Sequence, residues 1–162
     1  MSDWIDKVEE GDKAQAEKRA RQEELRLHKA KVITANAPPW WNSVIEQLQT
    51  DSAKLREKFP NETERQCTLI KSASDWELQG CKLPWKILNM QLNVPGQCVD
   101  ITESKRESRD KVTQVGKTQI KITVNADEEL EFRYQASAYL VPAELAQALI
   151  RYVCGASAFD PS

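Results

Sequence analysis

Histidine is nearly missing from this 162-residue chain, and His28 is the only one. It lies in a densely charged stretch with Glu24 one helical turn before it, which reads as a surface helix pair rather than a general base in a cleft. No Gly-x-Ser-x-Gly segment is present, and no cysteine has a histidine placed by any nucleophile pattern. Neither charge sign is in excess. The 23 Lys and Arg stand against 25 Asp and Glu, a net charge of −2, so no global basic field exists to draw in nucleic acid. No apolar run approaches the roughly 18 residues that span a bilayer. The N-terminus has no basic segment followed by an apolar one, so the expectation is a cytoplasmic protein without a secretory signal.

Closely spaced cysteine pairs are also missing. The four cysteines stand at 67, 81, 98 and 154, and the shortest gap, Cys67 to Cys81, holds thirteen residues. Zinc sites bring their ligands in tight pairs, so no metal and no cofactor is expected. In a reducing compartment the four thiols stay free and behave as small apolar residues. Gly116-Lys117-Thr118 ends like a phosphate-binding loop, but position 111 is Lys where that loop needs Gly, and Thr118 opens a strand rather than a helix. Asn61-Glu62-Thr63 fits the glycosylation acceptor pattern, which has no meaning without secretion. Asp127-Glu128-Glu129 falls in a turn, where water holds carboxylates near their ordinary acidity. The sequence therefore offers no catalytic residue and no positive sign of an enzyme.

What is present begins with a long polar helix. Residues 3–34 hold no proline, one glycine and many good helix formers. Acidic residues crowd its start (Asp3, Asp6, Glu9, Glu10, Asp12) and basic ones its later part, the order that the helix dipole favours. Asp3–Lys7, Glu9–Lys13 and Glu17–Arg21 are acid-first pairs four apart, each worth about a few tenths of a kcal/mol. This helix has no apolar stripe: stepping on from Trp4 and Val8 by threes and fours meets Gly11, Gln15, Lys18 and Gln22. It should project from the rest of the chain, with Trp4, Ile5 and Val8 at its tip in need of a cover. Ala37-Pro38-Pro39 is expected to end it, because proline supplies no N–H and disfavours helix in the residue before it.

A second helix is expected over 39–58, where Trp41, Val44, Ile45, Leu48, Ser52, Leu55 and Phe59 make one face. From residue 66 the period changes to two. Alternation over 86–94, 97–103, 118–125 and 129–135 marks strands with one buried face, and 67–73 and 76–80 read as two earlier strands. Residues 104–117 read as a long exposed connection, with a short strand near 111–115. Pro142 opens a last helix, 142–154, with Leu145, Ala148, Leu149, Tyr152 and Val153 as its stripe and Gly155 as its stop.

The fold class that follows is α+β: an antiparallel sheet of about five to six strands with helices packed on one face, preceded by a long charged N-terminal helix. The chain divides into an arm (1–36), a two-layer body (37–155) and a short tail (156–162). The sheet's outward set (Asn89, Gln91, Asn93, Asp100, Thr102, Lys121, Thr123, Glu131, Arg133) has both charge signs and no aromatic, which suits neither RNA nor a membrane. The function expected is protein–protein interaction, with a protein partner or a second copy, through Trp4, Ile5 and Val8. Trp40 is a further candidate contact, since tryptophan is enriched in binding hot spots. The alternative is a binder of a small apolar ligand between sheet and C-terminal helix, lined by Met90, Phe132, Tyr134, Leu149 and Tyr152.

Overall fold

The computed structural model describes residues 3–160. Two helices, α1 (Asp3–Lys58) and α2 (Pro142–Cys154), cover one face of a seven-stranded antiparallel sheet. The strands are β1 (Cys67–Ser72), β2 (Asp75–Gly80), β3 (Trp85–Asn93), β4 (Cys98–Ser108), β5 (Lys111–Val124), β6 (Leu130–Tyr134) and β7 (Ser137–Tyr139). They lie side by side in sequence order, a simple meander. The α+β class holds, with slightly more strands than the five or six expected, because β7 is too short to show a period of two.

The core lies where α1 and α2 meet the sheet. Leu78, Leu88, Met90, Val99, Ile101, Ile120, Ile122 and Phe132 rise from the strands, and Trp41, Val44, Leu48, Leu145 and Leu149 descend from the helices. The register explains the row structure: Leu78 pairs with Leu88, Met90 with Ile101, Val99 with Ile120 and Ile122 with Phe132. Neighbouring side chains on one sheet face stand close enough for each pair to add to stability. Residues 156–160 are docked rather than loose: Phe159 packs against the core, and Arg65 Nε donates to the Ala158 carbonyl at 2.8 Å.

Two expectations are corrected. The first concerns the prolines. α1 runs unbroken from Asp3 to Lys58 with Pro38 and Pro39 inside it. An interior proline costs roughly 3 kcal/mol, through a lost hydrogen bond and a clash with the preceding turn. The opposing gain is on the core side. Ile33 and Ala37, before the prolines, are buried on the same stripe as Trp41, Val44, Ile45 and Leu48 after them. Ending the helix at Ala37 would disturb the seating of Ile33, whose full burial alone is worth about 1.5–3 kcal/mol. Ile33 and Ala37 are therefore part of the core, and the helix continues through the prolines.

The second concerns residues 104–117, which are not an open connection. β4 and β5 continue as a long hairpin to a turn at Arg109-Asp110. Both faces of its outer part are wet, with Val112 and Val115 exposed, so no apolar alternation marks it in the sequence. Backbone pairing holds it instead. At its base Gly116 pairs with Glu103 while Gln114 pairs with Ser104, leaving Val115 as the extra residue of a bulge.

Gly80 fixes how closely α2 approaches the sheet. A Cβ built there would stand 2.8 Å from the Val153 carbonyl oxygen and 3.0 Å from Trp85 Cβ, and the first of these is backbone that cannot rotate away. Gly80→Ala should therefore destabilise the fold by roughly 1–3 kcal/mol, as overpacked sites do. A urea titration checks this; an unchanged midpoint would mean that the end of α2 is free to shift.

Candidate functional site: the exposed helical arm

Every residue of α1 from Asp3 to Lys29 is exposed. At 1.5 Å per residue that stretch is roughly 40 Å long. From Asp3 to Leu27 none of it is buried against the body, so its own side chains must support it. Lys13 pairs with Glu9 at 3.7 Å and Arg21 with Glu17 at 3.5 Å, both at the expected spacing. Arg26 holds Glu23 through two contacts, Nε to Oε2 at 2.9 Å and Nη2 to Oε1 at 2.6 Å. The hydrogen bonds from Arg26 hold the Glu23 carboxyl's pKa below its ordinary value.

His28 does not sit in the pair expected for it. Its Nε2 lies 2.8 Å from Glu128 Oε1, in the turn between β5 and β6. It is thus the outermost residue that ties α1 to the body, and the arm begins beyond it. Glu128 reaches up from a left-handed backbone position (φ 60°), one more reason why the sequence does not reveal this contact.

The tip stands as the sequence implies. Trp4 keeps 69% of its surface, Ile5 50% and Val8 54%. Two further large apolar residues are exposed at the arm's base, Leu25 at 53% and Leu27 at 47%. Between Val8 and Leu25 the apolar side chains are alanines. Continuing the alternation of fours and threes from Trp4 and Val8, through Gly11, Gln15, Lys18 and Gln22, lands on Leu25. The arm therefore carries apolar residues at both ends of one seam, with small and polar residues in between.

Trp40 is placed elsewhere. It is about 54 Å along the helix from Trp4 at the same rise. Its ring lies face to face with Phe132, centroids 3.8 Å apart and planes 9° apart. The structure thus brings Trp4, Ile5 and Val8 together and leaves Trp40 in the body, beside a groove edged by Pro39, Leu130 and Pro142.

Of the five residues named for a pocket between the layers, Met90, Phe132 and Leu149 have no exposed surface and Tyr134 has almost none. Tyr152 is partly exposed at the margin of the core. There its hydroxyl donates to the Glu103 carboxylate, and Lys86 Nζ lies 3.9 Å from the centre of its ring. Tyr134 meets it edge-on at 6.2 Å. Burial, followed by the hydrogen bond to Glu103, pushes the Tyr152 phenol up to about 12. Burial likewise raises Tyr134 above the ordinary phenol value. Both hydroxyls thus stay protonated near neutral pH, and that of Tyr152 serves as a hydrogen-bond donor. A cavity of about 180 Å³ adjoins them. Sequence reading missed Lys86 and Glu103 as members of this cluster, since Glu103 occupies a core-facing position where the alternation calls for an apolar residue.

Among the described residues no group of three or more His, Cys, Asp or Glu side chains could hold a metal ion, and no helix is long and apolar enough to cross a membrane. No family model, no curated protein and no solved structure matches this chain.

Proposed function

We propose that the chain is a protein–protein interaction module that acts through its N-terminal arm, and that the arm pairs antiparallel with the arm of a second copy. The observation that carries this is an uncovered apolar tip on a helix whose two halves have opposite charge. Over residues 3–12, Asp3, Asp6, Glu9, Glu10 and Asp12 outnumber the single Lys7. Over residues 13–31, Lys13, Lys18, Arg19, Arg21, Arg26, Lys29 and Lys31 outnumber Glu17, Glu23 and Glu24. A parallel pair would set like charges side by side, which costs free energy at close range. An antiparallel pair sets the acidic half of one arm along the basic half of the other. The same arrangement brings Trp4, Ile5 and Val8 of one copy to Leu25 and Leu27 of the other, so apolar surface meets apolar surface at both ends.

Without large residues along the middle of the seam, such a pair is reversible and depends on salt. Removing residues 1–29 tests the reading, because it takes away the arm and leaves Ile33 seated in the core. The shortened protein should unfold at nearly the same urea concentration as the full chain and should be monomeric. Full-length protein that is equally monomeric at high concentration and low salt would refute it.

A further inference from the structure

We propose that Cys67 and Cys154 form a redox-active dithiol, in which Cys154 attacks a small-molecule disulfide such as oxidised glutathione and Cys67 resolves the adduct to an internal disulfide. This site is independent of the arm. It lies where the last residue of α2 meets the first residue of the edge strand β1.

The approach of these two elements is built into the backbone. Gly80 stands opposite Cys67 in the ladder, and its missing side chain lets the Val153 carbonyl come down onto β2. Cys154 follows Val153 and is carried with it. Its Sγ donates to the Gln66 carbonyl at 3.4 Å, on the residue just before Cys67. These contacts bring the Cys154 thiol beside the residue next to Cys67, the strand position that faces Gly80.

They differ in the way such a pair requires. Cys67 has no exposed surface. Cys154 is partly exposed and borders a cavity of about 210 Å³ edged also by Gly80, Cys81 and Lys82. The neighbouring Cys67 thiol lowers Cys154 below the ordinary thiol value, while the Cys154 neighbour together with burial raises Cys67. The thiolate, not the thiol, is the attacking species, and Cys154 is the sulfur of the pair that a small disulfide can reach. Cys81 borders the same cavity, but its Sγ faces Thr68 Oγ1 at 3.6 Å. Thr68 and Cys67 are neighbours on a strand and point to opposite faces, so the Thr68 contact of Cys81 lies on the face away from the Cys67 side chain.

The chemistry balances. Cys154 gives up its proton to water, and its thiolate attacks one sulfur of the small disulfide. That S–S bond breaks, and one small thiolate leaves and takes up a proton. Cys67 then loses its proton, and its sulfur attacks the Cys154 sulfur and displaces the second small thiolate. Two protein thiols are oxidised by two electrons, and one small disulfide is reduced to two thiols.

The test treats the native full-length protein with oxidised glutathione, alkylates it without reduction, and reads intact mass and peptide linkage. Two of the four thiols should be lost. The mass should fall by about 2 Da, with one cross-linked peptide joining Cys67 to Cys154 that dithiothreitol separates. Cys67→Ser should stop at a glutathione adduct on Cys154, and Cys154→Ser should take up neither adduct nor cross-link at Cys67. Four thiols still free, or a cross-link that involves Cys81 or Cys98, would overturn the proposal. Should Cys67→Ser fold poorly, Cys67→Ala serves in its place, and the wild-type linkage decides the matter by itself. The oxidised protein should also melt higher by about 5–10 °C, since the bond closes a long loop.

Discussion

Phe132→Ala is expected to be among the most damaging single changes in the body, at a cost of about 3–5 kcal/mol. Phe132 is fully buried on β6 and pairs with Ile122 on one side and Tyr139 on the other. Trp40 stacks on its ring at 3.8 Å, and Trp41 lies parallel to it at 6.5 Å with planes 1° apart. These three rings are the join between α1 and the sheet just beyond Pro38 and Pro39. Removing the phenyl ring takes away its own transfer free energy and also leaves a cavity that two large indoles cannot fill without turning. In a domain of this size, each kcal/mol lowers the melting temperature by roughly 2–4 °C, so a fall of about 10 °C is expected. Urea denaturation and calorimetry check it. A loss below about 1 kcal/mol would mean that the indoles reach the sheet without the phenyl ring between them. Tryptophan emission would report the same change, since Trp40 and Trp41 should become wetter while Trp4, already 69% exposed, should not.

The second large effect concerns assembly rather than folding. Replacing Glu9, Glu10 and Asp12 by Lys leaves both halves of the arm net basic. Two such arms repel in either orientation, and self-association should fall by at least tenfold at low salt. Replacing Lys18, Arg19 and Arg21 by Glu leaves both halves of the arm net acidic and should have the same effect. Mixing the two variants should restore pairing as a heterodimer, because opposite charge then faces opposite charge. These positions are exposed and contact nothing in the body, so the urea midpoint should stay within about 0.5 kcal/mol of the parent. Two variants that associate as well as the parent would show that charge plays no part. Two that fail to associate even when mixed would leave complementarity without support.

The sequence shows most of this architecture, and the parts it hides have physical reasons. α2 appears with both its ends, because Pro142 and Gly155 bracket an apolar stripe at helical spacing. The sheet appears wherever one face is dry. The outer half of the β4–β5 hairpin does not, because a ribbon wet on both faces has no reason to alternate. The continuity of α1 is hidden by a local rule that is sound on average. Two adjacent prolines usually end a helix, but here Ile33 and Ala37 on one side and Trp41 and Val44 on the other share a core that would lose contacts if it ended. That balance is tertiary and cannot be read locally.

The candidate site divides in the same way. Trp4, Ile5 and Val8 stand out in the sequence because nothing apolar surrounds them. Leu25 and Leu27 do not, because they lie close to residues that the body does bury, and only the structure shows where exposure ends. An apolar stripe cannot tell a side chain that lines a pocket from one that fills a core, and Met90, Phe132 and Leu149 prove to be without exposed surface. Cys67 and Cys154 are distant in sequence and lie on different kinds of element; only the strand register and the bare Cα of Gly80 bring them together.

Sedimentation equilibrium of the full-length protein, over a wide concentration range and at low and high salt, tests the central claim most directly. Antiparallel pairing of the arms should give a reversible monomer–dimer equilibrium built on the 18.5 kDa chain, with dimerisation weakening steeply as salt rises. A single 18.5 kDa species at every concentration and both salts would contradict it.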